Sequence, residues 1–478
     1  MKILIVGAGP KGLQALGQLV AHANGRTDLQ VGVVDPTPPG TGAGYDPSQP
    51  DYLRLNVSPR IVHQPPLPTL VEWAGLETTD AVPRALVGRY LAEAWERLRA
   101  DAPFPITWHR ASVVQLEPSA DGWRASLSSG DLLEADEVLL ATGHAPDWDG
   151  ALVHGWSSEV PLIPSVYPVE QLSSIQPGAR VATRGAALTF IDLALALTEG
   201  RDRADRPAAI LPTARTGQLL GAKPAPLDDP AAVELPRNPL AVLDAVEHLA
   251  LDLLNRVTGR SHRSDEIART LATGWEPDLG RGQAAEALRR SVQVADGSRE
   301  PGPAWALGRT WSVRYAEVVQ ALSFSDPDPD DWSAFLHGAA ALERLTFGPP
   351  LGNARRLLAL IDEGVVDTSW LDRGVRIDAA GIHQVPAGDA PADWVVDAVL
   401  APPGADHART PLVDQLLAEG HARLAPGQRG LAVDREGRLG RGLSSVGRPV
   451  EDVVVGNDTL SCELHDLPAR WAGRVLGH

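Results

Sequence analysis

Three glycines near the amino terminus have the spacing of a phosphate-binding turn. Gly7, Gly9 and Gly12 follow the apolar run Ile3-Leu4-Ile5-Val6 and open a segment, 13–21, with helical apolar spacing. In this context Gly7 permits a tight turn, Gly9 leaves room for a pyrophosphate, and Gly12 lets the helix approach the strand. The first amides of the helix then face the phosphates, where the helix dipole favours negative charge. The pattern predicts a dinucleotide site.

An acidic residue completes this first unit. Asp35 ends the next apolar strand, 31–34, about twenty residues after the last glycine, where a carboxylate accepts hydrogen bonds from ribose hydroxyls. It would also repel a 2′-phosphate. Residues 2–35 are therefore predicted to form a Rossmann-like βαβ unit of an α/β fold.

A second unit of the same kind begins at Arg180, but its pattern is degenerate. After the turn at Gly185, the expected second glycine is Ala187 and the third small residue is Phe190. The backbone therefore cannot approach a pyrophosphate as closely as in the first unit. The residues predicted to contact NAD(P)H, if it binds here, are Gly185, Leu188, Thr189 and Arg215, with the last as a cation for a 2′-phosphate.

Several blocks along the chain carry a family resemblance. They are Gly7-Ala8-Gly9-Pro10-Lys11-Gly12-Leu13, Gly42-Ala43-Gly44-Tyr45 with Arg54-Leu55-Asn56-Val57, Pro83-Arg84-x-x-x-Gly88-x-Tyr90-Leu91, Leu139-Leu140-Ala141-Thr142-Gly143-His144, Arg184-Gly185-Ala186-Ala187-Leu188-Thr189-Phe190-Ile191-Asp192, and Phe347-Gly348-Pro349-Pro350 with Asn353. In this order they resemble flavoproteins with paired dinucleotide-binding folds. These are the FAD/NAD(P)-binding proteins related to class B flavin monooxygenases and amino-acid N-hydroxylases.

The resemblance implies FAD as the cofactor of the first unit. Pro10 and Lys11 then belong to its phosphate turn, Thr142 and Gly143 contact its adenosine and pyrophosphate, and Asn56 lies near its isoalloxazine. Such families close the site with a late strand followed by Gly-Asp, whereas this chain has Gly447-Arg448. The Gly447 amide and the carboxylate of Asp458 are the candidates for that wall.

The same resemblance implies an FAD-dependent oxidoreductase, foremost an NAD(P)H-dependent monooxygenase in which a C4a-peroxide of the flavin oxidises a small molecule. Two alternatives stay open. The degenerate second unit fits an oxidase or dehydrogenase that its own substrate reduces, and a non-catalytic nucleotide-binding protein is the third class. A disulfide reductase is disfavoured because its chemistry uses a dithiol and Cys462 is the only cysteine. The sequence singles out no catalytic side chain.

Composition limits the partners. The formal charge is −18 without a basic run, so a nucleic-acid partner is not expected. No apolar run approaches the roughly 20 residues of a membrane-spanning helix, so a membrane is not expected as a partner either. The single cysteine and the scattered histidines predict no internal disulfide and no metal site. The cytoplasm is the natural compartment, and the oligomeric state is left open.

Three domains are predicted from the order of patterns. Residues 1–150 and 395–478 are predicted to form a discontinuous FAD-binding domain, 151–237 an NAD(P)-binding-like domain, and 238–394 a mainly helical insertion that contains the substrate region. Within the insertion, Arg314 and Tyr315 either line a pocket for an acidic or aromatic substrate or pack a helix.

Overall fold

Strands and helices alternate over the first half of the chain, and helices dominate the middle. A computed structural model describes residues 1–42, 44–76, 82–145, 147–225, 231–408, 410–457 and 459–477. Its strands are β1 (Lys2–Val6), β2 (Gln30–Val34), β3 (Ile106–His109), β4 (Val113–Pro118), β5 (Trp123–Leu127), β6 (Leu132–Ala135), β7 (Glu137–Leu140), β8 (Leu162–Ile163), β9 (Arg180–Arg184), β10 (Ala209–Thr213), β11 (Arg376–Asp378), β12 (Gly381–His383), β13 (Trp394–Asp397), β14 (Arg438–Gly440) and β15 (Leu443–Ser445). Its α-helices are α1 (Pro10–His22), α2 (Leu70–Trp73), α3 (Arg84–Asp101), α4 (Leu188–Ala196), α5 (Pro239–Thr258), α6 (Ser264–Thr273), α7 (Ala284–Ala295), α8 (Pro303–Leu322), α9 (Pro329–Thr346), α10 (Leu351–Asp362), α11 (Ser369–Arg373), α12 (Pro411–Ala418) and α13 (Leu467–Leu476).

The first sheet contains the amino-terminal strand. Its strand order is β14-β15-β7-β1-β2-β3, and only the β14–β15 pair is antiparallel. Helix α1 connects β1 to β2, which confirms the predicted first unit, and α1 and β1 share one core with Ile5, Leu13 and Leu139, each at most 1% exposed. The segments that follow β1, β2, β7 and β15 leave the sheet at one edge, because the carboxyl ends of parallel strands lie together.

The second sheet has the order β10-β9-β13-β8 and is parallel throughout. The chain passes from β9 through α4 to β10, so the predicted second α/β unit is confirmed. Strand β13 pairs with β9 and β8 in this second sheet, although residues from 395 onward were predicted to belong to the FAD-binding domain. A short central strand carries no local signal for which of two sheets it joins. Strand β15, from the same predicted range, pairs with β7 in the first sheet.

The helical part is divided between two cores. Helices α5, α6, α8 and α9 enclose a core of their own around Val246, Trp311 and Leu342. Helices α7 and α10 instead pack with α4 of the second unit, through Leu288 and Leu357. The domain boundaries themselves remain predictions. No helix among the described residues is both long and apolar enough to cross a membrane.

Candidate functional site

The turn after β1 is closed by two glycines that the backbone requires. Gly7 has a φ of +103°, and a Cβ there would lie 2.5 Å from the carbonyl oxygen of Ala141. A Cβ on Gly12 would lie 2.0 Å from the carbonyl oxygen of Gly7. Any side chain at Gly12 would therefore push α1 away from β1, as the sequence predicted.

Gly9 is different, because nothing in the protein explains why it is glycine. Its φ is −71°, which any residue adopts, and a Cβ there would come no closer than 3.8 Å to another atom, Cα of Gly42. Gly9 is also the residue before α1, and no side chain caps that helix end. An open space in front of uncapped helix amides fits a pyrophosphate, which needs close backbone approach and N–H donors. These residues therefore fit the diphosphate of FAD.

Asp35 follows β2 and is bound to the turn. The amide of Ala8 donates to its Oδ2 at 2.7 Å, while Thr37 donates its amide and hydroxyl to Oδ1 at 2.8 and 2.7 Å. Since a carboxylate takes roughly four hydrogen bonds, these three leave capacity for one more donor, such as a ribose hydroxyl. Asp35 thus stabilises the turn, and its contact with a ribose stays a prediction.

The remaining strand ends bring further predicted residues to the same edge. Thr142 and Gly143 follow β7, and nothing lies within 4 Å of where a Gly143 Cβ would be. Gly447 follows β15 with a φ of +80°, and a Cβ there would lie 3.2 Å from Cγ of Lys11. Gly447 and Lys11 are therefore neighbours, which the sequence could not show. The other candidate for this wall, Asp458, lies outside the described residues.

Lys11 belongs to a polar cluster behind the glycine turn. Pro10 is the first residue of α1, and Lys11 directly follows it. The Lys11 ammonium donates to Oε1 of Gln14 at 3.1 Å and lies 3.3 Å from Nε2 of His465. Burial, with Lys11 as a further cause, lowers the pKa of His465 to about 3. The imidazole is therefore neutral at pH 7, and Lys11 is the positive charge of this cluster.

The second unit repeats the turn but not its open face. Gly185 has a φ of +106°, and its amide donates to the carbonyl oxygen of Thr213 at 2.9 Å. Ala187 precedes α4 and is exposed. Of the first helical residues, Leu188 is half-buried and Thr189 is 8% exposed, so the Thr189 side chain faces the protein. Phe190 is completely buried in the core behind them.

Two arginines of the second unit, Arg201 and Arg215, have different surroundings. Arg201 donates to the backbone carbonyl oxygens of Leu172, Ile175 and Asp205, so its guanidinium serves the fold. Arg215 is exposed two residues after β10. The residues predicted for NAD(P)H therefore lie around the carboxyl ends of β9 and β10, and Arg215 is the arginine available there.

A buried ion pair joins the two units. Arg84, at the start of α3, lies 2.6 Å from Oδ2 of Asp192 in α4, and Tyr167 donates its hydroxyl to the same carboxylate. Asp192 is 1% exposed, and burial raises the pKa of its carboxyl although Arg84 and Tyr167 favour the ionised form. Arg84 also donates to the carbonyl oxygen of Arg54 at 3.1 Å. The loop that contains Asn56 is thereby held against the second unit.

A residue that sequence reasoning missed contacts the same loop. Lys223, which follows the second unit, donates from Nζ to the carbonyl oxygen of Asn56 at 2.9 Å and lies 6.0 Å from the ring centre of Phe347. Burial lowers the pKa of its ammonium. The only available signal was rarity, since Lys223 is one of three lysines. Asn56 is therefore anchored by its backbone, and the role of its side chain stays a prediction.

Three other side chains named from the sequence are His144, Arg314 and Tyr315. His144 is exposed. Arg314 is 6% exposed and donates to Ala231 and Glu317, and the ring of Tyr315 makes edge contacts with Trp311 and Phe347. Both therefore pack the helix. Among the described residues, no group of three or more His, Cys, Asp or Glu side chains is arranged to hold a metal ion.

Comparison with known proteins finds a family and curated relatives. Residues 4–145 match the FAD-NAD(P)-binding family. An L-aspartate N-monooxygenase (nitrosuccinate-forming) of Streptomyces davaonensis is 29% identical over 42% of this chain and 39% of its own length. A nitrosuccinic acid synthase of Aspergillus oryzae is 33% identical over 42% of this chain and 35% of its own length. The matches thus span less than two-fifths of either relative.

Among solved structures, the open form of cyclohexanone monooxygenase covers all of this chain and 87% of its own, with 13% identity and a TM-score of 0.49. That likeness is too distant to support a conclusion. The family match coincides with β1 to β7 and includes the glycine turn, Asp35 and Thr142-Gly143. Residues 4–145 are therefore similar to the FAD-NAD(P)-binding family in the part of the chain that contains these predicted cofactor contacts.

Proposed function

We propose that this protein is an FAD-dependent monooxygenase that uses NAD(P)H to oxidise a small molecule. The observation that carries the proposal is the open space at Gly9, in front of the first amides of α1. Neither the φ of Gly9 nor its packing requires a glycine there, whereas a bound diphosphate requires a residue without a side chain. The presence of a second unit supports nicotinamide as the reductant. Two contacts, Arg84–Asp192 and Lys223–Asn56, hold that unit against the loop of the first.

The chain's own residues bind and orient the cofactor. The amides at the start of α1 bind the diphosphate, and Gly9 and Gly12 allow its close approach. Asp35 offers its remaining acceptor capacity to the ribose, and Lys11 adds positive charge beside the phosphates. Bound FAD supplies hydride acceptance and oxygen activation, so the protein contributes position and electrostatics.

In the second unit, the proposed nucleotide lies at the ends of β9 and β10. The position equivalent to Asp35 is Ala214, so no carboxylate there repels a 2′-phosphate, and Arg215 follows directly. This charge pattern favours NADPH over NADH. Ala187 restricts the approach of the pyrophosphate, so we expect looser binding than FAD has in the first unit.

The substrate is proposed to be small, and the curated relatives indicate where to begin. Their names describe L-aspartate and nitrosuccinate, which makes L-aspartate the first compound to test. The cytoplasm is the proposed compartment, because one cysteine, Cys462, has no partner for an internal disulfide.

The deciding experiment is the absorption spectrum of the purified yellow protein before and after anaerobic NADPH. We expect NADPH to bleach the flavin band and NADH to bleach it more slowly, and oxygen to restore it. The proposal is wrong if neither nucleotide bleaches the flavin. Bleaching by an amine or alcohol without nicotinamide would instead identify the oxidase or dehydrogenase class.

A further inference from the structure

A cavity of about 440 Å³ lies between the second unit and the helical part. Its walls come from the segment Gln218–Pro224, residues 274–279, helix α7, the start of α8 and the end of α9. Small-molecule sites in proteins typically occupy about 300–1,000 Å³. None of the described glycine-turn residues of either unit lines it. The cavity is therefore separate from both glycine turns.

One end of the cavity holds an arginine with unused hydrogen-bonding capacity. Arg344, in the last turn of α9, has a buried Nε without a hydrogen-bond partner. Burial lowers the pKa of this guanidinium, and Arg215 contributes in the same direction. A buried donor on a cation is costly unless an acceptor meets it. The Nε itself has no accessible surface, but a ligand carboxylate in the cavity would give the terminal nitrogens of this guanidinium an acceptor in the planar geometry that it prefers.

A carboxyl group with spare capacity also lines the cavity. Glu276 accepts one hydrogen bond, at 3.3 Å, from the amide of Ala304 at the start of α8. The neighbouring Arg290 is used elsewhere, since it pairs with Asp278 at 2.6 Å and Glu286 at 2.8 Å. Burial raises the pKa of Glu276 to about 7. An ammonium group on a ligand would compensate its charge.

The rest of the lining is mixed: Arg260 and Glu300 also line the cavity and pair with each other, Arg299 adds a further positive charge, and the other residues are largely apolar. Trp275 is 8% exposed and Trp305 is half-buried, and both face the cavity together with Leu288 and Val294. Two indole rings suit an apolar or aromatic group, because they bury large area and stack. The cavity therefore combines an unsatisfied cation, an accessible carboxyl group and an aromatic wall.

We propose that this cavity binds a free amino acid with an apolar side chain, with its carboxylate on Arg344, its ammonium on Glu276 and its side chain against Trp275 and Trp305. The wall segment Gln218–Pro224 also contains Lys223, which reaches the loop at Asn56. The segment Gln218–Pro224 therefore lines the cavity and also contacts the first unit. Its ligand need not be the compound that the enzyme oxidises.

Binding calorimetry on the purified full chain tests each recognition element. The probes are L-phenylalanine, 3-phenylpropionate without the ammonium, and 2-phenylethylamine without the carboxylate. We expect L-phenylalanine to bind at least about tenfold more tightly than either truncated probe, since a hydrogen bond to a charged group is worth about 1.5–3 kcal/mol. The measurement needs neither flavin reduction nor nicotinamide, so its failure is distinguishable from failure of the proposed function.

Two variants assign the contacts. Arg344→Met should weaken L-phenylalanine and 3-phenylpropionate by about tenfold or more and leave 2-phenylethylamine unchanged. Glu276→Gln should reduce L-phenylalanine to the affinity of 3-phenylpropionate. Arg256→Met, on the exposed face of α5, is the matched control and should change nothing. Because Glu276 also supports the start of α8, the Arg344 variant remains decisive if Glu276→Gln unfolds.

Four results would each overturn the proposal. The first is equal affinity for the three probes, and the second is no heat of binding for any probe at a concentration of about 10 mM. The third is tighter binding of L-aspartate than of L-phenylalanine, and the fourth is displacement of L-phenylalanine by NADP⁺. The third would contradict the apolar wall as the recognition surface. The fourth would assign the cavity to the nucleotide of the second unit.

Discussion

The two α/β units share one backbone design. Gly7 and Gly185 follow the first strand of each unit with φ values of +103° and +106°. The amide of Gly7 donates to Val34 at 2.9 Å, and that of Gly185 donates to Thr213 at the same distance. Both units therefore contain the same backbone turn, and they differ in the side chains around it.

The first difference concerns how closely helix and ligand approach the strand. Gly9 and Gly12 in the first unit correspond to Ala187 and Phe190 in the second, counting from the turn glycine. Gly12 lies so close to Gly7 that a Cβ would overlap its carbonyl oxygen, whereas Phe190 fills the equivalent interface with a buried ring. The same turn therefore has different surroundings in the two units.

The second difference is the charge at the end of the second strand. Asp35 binds the turn of the first unit, and its counterpart in the second unit is Ala214 followed by Arg215. One unit therefore offers an acceptor for ribose hydroxyls and the other a cation. The two units are suited to different nucleotides.

The largest expected effect comes from making the first unit resemble the second at Gly9. Gly9→Ala should abolish flavin retention, because the methyl group occupies the space that the diphosphate needs, while the fold has room for it. The flavin-to-protein absorbance ratio after purification and the thermal unfolding midpoint measure the two effects. Gly473→Ala in α13, where nothing lies within 4 Å, is the matched control. A fully yellow Gly9→Ala protein would show that the open face is not a phosphate site.

The next largest effect concerns the ion pair that joins the units. Asp192 occupies the position in α4 that Gln14 occupies in α1, counting from the turn glycine. The substitution Asp192→Asn would leave the buried guanidinium of Arg84 without its negative partner. We expect urea unfolding to show a loss of about 3–5 kcal/mol in the free energy of unfolding. Asp101→Asn breaks the exposed pair with Arg97 and should cost at most about 1 kcal/mol. Equal losses in the two variants would contradict a structural role for Asp192.

Local patterns allowed much of this fold to be predicted. The apolar spacing in β1, α1 and β2 and in the long helices α5, α7 and α9 lies within each segment, so the sequence alone reveals these elements. The glycine turn was predictable for the same reason, since Gly7, Gly9 and Gly12 act together over six residues.

The missing parts depend on contacts between distant segments. The strand β13 has only four residues, and its place between β9 and β8 depends on pairing with a strand some two hundred positions earlier. Lys223 and Asn56 are 167 residues apart. The cavity around Glu276 and Arg344 is assembled from six segments without a motif. No spacing rule brings such residues together, so the sequence could not identify them.

The first unit should have a pH effect of its own, which comes from a buried histidine. His465 lies beside Lys11, whereas the second unit has the buried Thr189 at the position of Lys11. Burial and Lys11 lower the pKa of His465 from 6.5 to about 3. As the pH falls from 7 to 4, the imidazole of His465 therefore gains a proton in the unfolded chain but not in the folded protein. The free energy of unfolding is for this reason lower at acidic pH.

The magnitude follows from the size of that shift. The free energy of unfolding should fall by about 3 kcal/mol more in the natural protein than in His465→Gln between pH 7 and pH 4. Urea titrations at the two pH values measure the difference. His337→Gln, at an exposed position on α9, should keep the pH dependence of the natural protein. If His465→Gln has the same pH dependence as the natural protein, His465 is not held neutral beside Lys11.

The smallest effect tests the charge difference between the units. Arg215→Gln should raise the KM for NADPH by up to about fivefold and leave the KM for NADH unchanged, because only NADPH has a phosphate for this cation. The effect is limited because Arg215 is exposed, where a charge pair is worth about 1 kcal/mol or less at ordinary salt. Flavin reduction at varied nucleotide concentrations measures both constants. Arg203→Gln, another exposed arginine that follows α4, is the control. If Arg215→Gln weakens both nucleotides equally, the arginine does not discriminate between them, and the second unit differs from the first only in how loosely its turn is packed.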